Sequence, residues 1–425
     1  MNSDTVISVI GLGYVGLPIA LSFAKHFKVI GYDTNEKRIT ELRNGIDRNK
    51  ELSIYLNDNL QFTSDRVNIR NANFHIVCVP TPVDEAKKPD LSFLESATMK
   101  ITDYIKPGDT VVYESTVWPG VTRDQIATLE LSGLTCGIDF GVGYSPERIN
   151  PGDTKHTLEN IVKLVAGSDD RTTARIVSIY ESVLHHPVYV CSSIEVAEAA
   201  KIIENIQRDV NIALVNELSM LFNRIDLDTR EVLEAAGTKW NFLKFWPGLV
   251  GGHCIGVDPY YLTHLAAKVN YTPQMILSGR RINDEYGVYI AREMAKALIR
   301  YGANNGKPTI TIFGFSFKAN VSDIRNTRVI DIYRELKDHG INVKIIDPLC
   351  DAIEIIREYG IQYEVFEESK ELSDGIIIAV DHDIFREKDW SYYDKFLKQS
   401  SVALMDLHGI LPRRPRPEHI NLWRP

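Results

Sequence analysis

Between residues 6 and 33 the chain reads VISVIGLG, then VGLPIALSFAKHF, then KVIGYD: an apolar run, a helical pattern opened by glycines, and a second apolar run ending on an acid. Gly11, Gly13 and Gly16 form G-x-G-x-x-G, and Asp33 follows about 20 residues later, the spacing of a dinucleotide-binding βαβ unit. Glycine-rich turns are common, but few lie between a strand and a helix with an acid closing the next strand. In that setting Gly11 permits the tight turn, Gly13 lets the backbone approach a pyrophosphate, and Gly16 lets helix and sheet pack closely. The N–H groups at the helix start, Tyr14 and Val15 included, would bind the phosphates. Asp33 would accept hydrogen bonds from the adenosine ribose and repel a 2′-phosphate, which favours NAD over NADP. Lys37 and Arg38 pull against that preference, and Arg38 joins the cofactor-binding candidates. FAD uses the same turn, but nothing else in the chain suggests a flavin.

The alternation continues through NEKRITELRNG, a helix stopped at Gly45, and through the strand candidates NFHIVCVPTPV, DTVVYESTV, FGVGYSPERI and NIVKLVAG. Continuous apolar strands separated by helices predict a parallel sheet covered on both faces. VPTP and ESTVWPG place Thr81, Pro82, Ser115 and Thr116 where strands end, the edge at which open α/β sheets bind ligands. Turn chemistry alone would put the same residue types there.

From Glu195 the period changes. EVAEAAKIIENIQRDVNIALVNELSMLFNRI has no proline or glycine and repeats apolar residues at helical spacing: Ala199, Ile202, Ile203, Ile206, Val210, Ala213 and Leu214. So long a helix suits a connector between domains. More helical pattern follows from Gly279 to Ile299, and after YGANNGKP the α/β alternation restarts with TITIFGFSF, TRVIDIYRELKDHG, NVKIIDP, CDAIEIIREYG, GIIIAVDHDIF and SVALMDLHG. The expected fold class is α/β: two Rossmann-like doubly wound domains joined by a long central helix and a helical region. The boundaries fall at 1–194, 195–303 and 304–425, and LPRRPRPEH near the end reads as a surface tail.

At 425 residues the chain exceeds one ordinary core. A net charge of −9 without a long basic run argues against a nucleic-acid partner. The start has no basic n-region and no apolar run reaches a membrane span, so neither a signal peptide nor a membrane partner is expected. The five cysteines lie far apart with no C-x-x-C, which fits a reduced, cytoplasmic protein with no metal site.

Four of those cysteines read as small buried hydrophobes. Cys254, in PGLVGGHCIGVDPYY, differs, because Gly251, Gly252 and Gly256 frame it and would let a substrate approach the backbone. It is either a reactive thiol or a packed loop thiol. His253 beside it points the other way in an extended segment and reads as a structural hydrogen-bonding residue. On the long helix Lys201 and Asn205 share a face, with Arg208 and Asp209 a turn further on, opposite the apolar stripe. Such a face is either solvated or lines a cleft, where a lysine charge and an amide donor suit an oxyanion. Oxidising a primary alcohol to an acid removes two hydrides, and one nicotinamide accepts one. A cysteine can hold the intermediate aldehyde as a thiohemiacetal, whose oxidation gives a thioester that water cleaves. The combination suggests a four-electron dehydrogenase.

The ordered motifs GLGYVGLP, VPTP, ESTV, GYSPERINPG, EAAKIIENIQRDVNIALVNE, GGHCIGVDPYYL, GRRIND and GFSFKANVSDIRNTR resemble the UDP-glucose/GDP-mannose dehydrogenase family along nearly the whole chain. PGLVGGHCIGVDPYYL with GYSPERINPG resembles its branch acting at C6 of UDP-N-acetylhexosamines for capsule or O-antigen synthesis. The resemblance implies a homodimer, with the helical middle as the dimerisation region and a C-terminal UDP-binding domain. It implies that Cys254 is the nucleophile and that Lys201 and Asn205 stabilise the developing oxyanions. Asp258 would pair with the lysine and the hydrolytic water, and Glu147 and Thr116 would lie near the nicotinamide. Lys318 would bind substrate, as would Lys201, Asn205 and Gly251, and Arg325 would reach the cofactor phosphates. Trp246 departs from the arginine many relatives carry before the Pro-Gly, which bears on substrate preference.

Overall fold

The computed structural model describes residues 4–48, 54, 56–84, 86–148, 157–301, 307–361 and 372–425. The last four residues of GYSPERINPG and most of the YGANNGKP break lie outside the described residues. Two compact units result, one of residues 1–204 with 260–272, the other of residues 205–259 with 273–425.

The first unit is built on eight strands, β1 (Val6–Ile10), β2 (Lys28–Tyr32), β3 (Leu60–Thr63), β4 (Phe74–Val77), β5 (Thr110–Tyr113), β6 (Gly141–Tyr144), β7 (Leu164–Gly167) and β8 (Tyr189–Val190). Their order is β3-β2-β1-β4-β5-β6-β7-β8. The first six are parallel and follow the dinucleotide-binding order 3-2-1-4-5-6. β7 then joins β6 antiparallel. Helices α1 (Gly16–Phe23), α2 (Glu36–Arg43), α3 (Ser92–Thr102), α4 (Val121–Leu129) and α5 (Asp170–Tyr180) complete the alternation. β1, β4 and β5 are buried along nearly their whole length, as apolar strands covered on both faces require.

α6 (Ile194–Arg224) is a single helix. Both of its faces are covered in part: Lys201, Asn205 and Asp209 are buried, as are Ile202, Ile206 and Ala213 of the apolar stripe, whereas Arg208 is exposed, Ile203 is 54% and Leu214 53% exposed. Helical spacing marks an apolar stripe but not which stripe meets a neighbour. Here buried polar partners occupy the polar side.

In the second unit come α7 (Thr229–Ala236), α8 (Asp258–Lys268, which continues into the first unit) and α9 (Gln274–Tyr301). A five-stranded parallel sheet follows, made of β9 (Thr309–Phe313), β10 (Asn342–Ile346), β11 (Gly375–Ile378), β12 (Val402–Asp406) and β13 (Ile420–Trp423). Its order, β10-β9-β11-β12-β13, is the 2-1-3-4-5 doubly wound order. Helices α10 (Val329–Asp338), α11 (Ala352–Tyr359), α12 (Asp383–Arg386) and α13 (Trp390–Asp394) accompany it. The expected C-terminal tail is corrected: after exposed Pro412–Arg416 the chain returns to the sheet as β13, paired parallel with β12. Trp390 Nε1 donates to the Pro412 carbonyl at 3.0 Å, which pins the excursion. Among the described residues no helix is long and apolar enough to cross a membrane.

Candidate active site

The glycine turn after β1 has the geometry a dinucleotide needs. Gly11 has φ +89°, and a Cβ there would lie 2.8 Å from the Cys78 carbonyl oxygen. A Cβ on Gly16 would fall 1.8 Å from the Gly11 oxygen, so α1 can start this close to the turn only without a side chain. At Gly13 nothing lies within 4 Å, leaving the backbone open toward a ligand, and the residues present therefore fit a pyrophosphate. Asp33 accepts the Leu12 N–H and the Asn35 N–H, both at 2.9 Å, which fixes its carboxylate at the end of β2. Arg38 is buried; it donates to the Leu12 carbonyl at 3.1 Å and to Asp47 at 2.9 Å. That geometry makes Arg38 a support of the glycine turn. Tyr14 and Val15 stand half-buried at the start of α1.

At the ends of β4 and β5 the hydroxyls tie strands together. Thr81 Oγ1 donates to the Thr116 carbonyl at 2.7 Å, and Ser115 Oγ to the Val79 carbonyl at 2.7 Å. The Tyr261 hydroxyl of α8 donates to the Thr81 carbonyl, and the Trp118 ring lies 4.9 Å from that of His264. Pro82 is exposed.

Glu147 is buried after β6, its Oε1 accepting the Arg148 N–H at 2.5 Å. Directly before it lies a buried ionic cluster that the sequence reading missed. Lys163 Nζ donates to Glu114, to the Pro146 carbonyl at 2.9 Å and to the Ser145 carbonyl at 3.3 Å. The Tyr180 hydroxyl donates to the other oxygen of Glu114 at 2.5 Å. Burial pushes the Glu114 carboxyl up to about 7, although Lys163 pulls it down. A lysine inside the apolar run NIVKLVAG was the available signal, because an unpaired lysine does not belong in a buried strand.

The second unit holds the cysteine turn. Cys254 is exposed, while Cys78 and Cys191 are buried. Burial drives the Cys78 thiol well above its usual value, consistent with an inert core residue. Residues 252–257 form turns, not the extended segment expected, and the Cys254 carbonyl accepts the N–H of Asp258 at 2.8 Å as α8 begins. Asp258 is buried and accepts Asn205 Nδ2–H at 2.5 Å, so two of the predicted site residues meet directly. At two of the glycines the chain itself comes close. A Cβ on Gly251 would lie 2.7 Å from the Asn326 oxygen, and one on Gly252, whose φ is +81°, 2.7 Å from the Phe317 ring. His253 Nε2 stands 3.6 Å from Asp323 Oδ2, the carboxylate that the structural reading of this histidine calls for.

The segment after β9 that seats this turn also carries Lys318 and Arg325. Lys318 Nζ lies 5.5 Å above the Phe317 ring, and its carbonyl accepts Ser316 Oγ–H at 2.8 Å. Arg325 is bound bidentately by Asp323, at 2.9 and 2.7 Å. Burial would raise Asp323, but the hydrogen bonds from Arg325 and His253 outweigh it and hold the carboxyl well below the usual range. Trp246 lies under the Arg230 guanidinium at 4.8 Å. Cys254, Asp258, Asn205, Gly251, Lys318 and Arg325 thus share the second unit, whereas Lys201, Glu147, Thr116 and the cofactor turn belong to the first.

Residues 5–184 match the NAD binding domain of the UDP-glucose/GDP-mannose dehydrogenase family, residues 195–285 its central domain and residues 311–413 its UDP binding domain. The chain is 49% identical over 414 residues to the UDP-N-acetyl-D-glucosamine 6-dehydrogenase of Salmonella typhi, covering 96% of this chain and 97% of that one. It is 47% identical over 422 residues to Protein CapL of Staphylococcus aureus, covering 98% and 99%. Among solved structures, the UDP-D-ManNAc dehydrogenase of Pyrococcus horikoshii matches with a TM-score of 0.88 at 28% identity, over 99% of both chains. The glycine turn, the cysteine turn and three domain matches in the family's order agree along the chain, which belongs to the UDP-glucose/GDP-mannose dehydrogenase family.

Proposed function

We propose that the chain oxidises C6 of a UDP-N-acetylhexosamine, UDP-N-acetylglucosamine first, to the uronic acid. The work would be divided among an NAD-binding domain (1–194), a central catalytic and dimerisation domain (195–303) and a UDP-sugar-binding domain (304–425). The observation that carries the reading is an exposed cysteine on a glycine turn, four residues before a buried carboxylate that is hydrogen-bonded to Asn205. A binding module has no need of that set. The name of the relative from Salmonella typhi supports the sugar; a role in capsule or O-antigen synthesis belongs to the same proposal.

The Gly11–Gly16 turn and Asp33 would hold NAD, which would supply the hydride acceptor. Lys201 and Asn205 would offer a charge and an amide donor to the oxygen that becomes anionic as the C6 hydroxyl releases its proton to solvent, before hydride loss turns it into the aldehyde oxygen. The Cys254 sulfur adds to the C6 aldehyde, and the proton it gives up ends on the thiohemiacetal oxygen. Oxidation of the thiohemiacetal removes a second hydride from C6, for which a second NAD would be the acceptor, together with the hydroxyl proton, which is released to solvent, and a thioester is left. Water then adds at the thioester carbonyl, with Asp258 and Glu147 the two candidates to take its proton, and the thiol departs with the acid formed. Thr116, Ser115, Thr81 and Pro82 would shape the nicotinamide side, Arg325 the cofactor phosphates, and Lys318 and Gly251 the sugar nucleotide.

NADH formed per sugar consumed tests the reading, with UDP-N-acetylglucosamine, UDP-N-acetylgalactosamine, UDP-glucose and GDP-mannose run side by side. Two NADH per sugar, with UDP-N-acetylglucosamine preferred, is the expected result. One per sugar would leave an aldehyde as product and remove Cys254 from its role; none from any sugar would favour a binding module.

The same reading makes the protein a cytoplasmic homodimer. Leu214 and Leu221 of α6 are 53% and 52% exposed, and Trp240 beyond α7 is 92% exposed, apolar surface of the kind a second copy covers. Light scattering after gel filtration should give twice the chain mass, and Leu221→Glu should shift the equilibrium to monomer. A wild-type monomer at micromolar concentration would overturn the dimer.

A further inference from the structure

The motif GRRIND on α9 has no role in the chemistry above, yet its side chains run to the cysteine turn. Arg280 NH1 donates to Asp209 Oδ1 at 2.6 Å, and Asn283 Nδ2 donates to the same oxygen at 2.7 Å and to the Asp209 carbonyl at 2.9 Å. Asn283 Oδ1 in turn accepts Asn216 Nδ2–H at 2.9 Å. The Asn216 amide then grips both sides of Gly248: its Oδ1 accepts the Gly248 N–H at 2.8 Å, and its Nδ2 donates to the Gly248 carbonyl at 3.1 Å. Asp209, Asn216 and Asn283 are fully buried and Arg280 nearly so. Each oxygen and nitrogen orients the next, so the amide of Asn216 cannot flip without breaking bonds to both Asn283 and Gly248.

A second asparagine holds the turn further along. The Asn326 carbonyl accepts the Gly252 N–H, and Asn326 Nδ2 donates to the Gly252 carbonyl, both at 3.3 Å. Asn326 has φ +53°, a left-handed backbone that asparagine tolerates better than most residues. Gly248 and Gly252 are therefore gripped at both N–H and C=O, the second grip two residues before Cys254.

We infer that Asn216, oriented by Asn283, Asp209 and Arg280, and Asn326 are positioning residues that hold the Cys254 turn in the geometry needed to retain the aldehyde. The inference rests on Cys254 being the nucleophile. Neither asparagine touches the reacting atoms; they act by fixing backbone. Their loss should therefore affect capture of the aldehyde more than cofactor binding, which depends on the glycine turn of the other unit.

The test compares Asn216→Ala and Asn326→Gly with wild type and with Cys254→Ser, using UDP-N-acetylglucosamine, NAD and a hydrazide probe that traps free aldehyde. Asn326→Gly keeps the positive φ and the backbone carbonyl, sits at an exposed position, and so remains informative if Asn216→Ala does not fold. The expected result for Asn216→Ala is a kcat lower by ~10- to 100-fold, as for a small misplacement of a reacting group. The KM for NAD should stay unchanged, with hydrazone trapped and NADH per sugar falling from two toward one. Asn326→Gly should show the same signature more weakly. Folded variants that trap no aldehyde and keep wild-type stoichiometry would overturn the positioning role. Cys254→Ser separates the two readings: if it still yields two NADH per sugar, the nucleophile assignment itself fails, whatever the asparagines do.

Discussion

Cys254→Ala is expected to abolish uronate formation, with a loss of at least ~10³- to 10⁴-fold in turnover, the scale seen when a covalent nucleophile is removed. The fold should survive, because the residue is exposed on a turn whose shape is set elsewhere, by the Asn326 and Asn216 contacts and by the first turn of α8. NAD affinity should also survive, since the groups fitted to the dinucleotide are Gly11, Gly13, Gly16 and Asp33 in the first unit. Uronate measured by mass spectrometry, beside NAD binding by fluorescence, gives the two readouts. Loss of both would mean a damaged fold. Uronate at the wild-type rate would mean that the aldehyde is oxidised without a covalent adduct.

Features with local causes were readable from the chain. The βαβ unit around Gly11–Gly16 is set by apolar runs and by glycines whose missing side chains a turn requires, so both its elements and its expected chemistry appeared in order. The restart after residue 308 was equally plain, because β9 to β12 are apolar runs between helical patterns. What escaped depends on partners distant in sequence. Lys163 and Glu114 are separated by 49 positions and meet only once β5 and β7 are in one sheet. Asp209 lay on a helix face that was either solvated or lined a cleft, and its cover comes from Arg280 and Asn283 of α9, more than 70 residues away. β13 follows a proline-arginine stretch that reads as tail, and only its pairing with β12 makes it a strand. That Phe317 and Asn326 come close to the glycines before Cys254 was likewise hidden, since both lie more than 60 residues further along the chain.

Lys163→Met should have the largest effect on stability. The side chain is fully buried, and removing one partner of a buried ion pair typically costs ~3–5 kcal/mol because the other charge is left without compensation. Glu114 has one escape, which is to take up a proton. Burial already holds its carboxyl at about 7 against the usual value of 4.5, and loss of Lys163 raises it further. A carboxyl whose folded pKa lies above its unfolded value binds more protons when folded, so stability falls as pH rises between the two values. The variant's deficit should therefore be smallest near pH 5, where Glu114 can be neutral, and should grow through pH 8. Thermal unfolding at several pH values reads this directly, and Lys163→Met combined with Glu114→Gln should recover most of the loss at pH 8. A deficit independent of pH would mean that Glu114 stays ionised without its partner, and that the pair's contribution lies in the Ser145 and Pro146 carbonyls that Lys163 holds. Those carbonyls precede Glu147, so the same variant links the two levels: a stability change that tracks the charge of Glu114, and a turnover change that tracks the placement of Glu147.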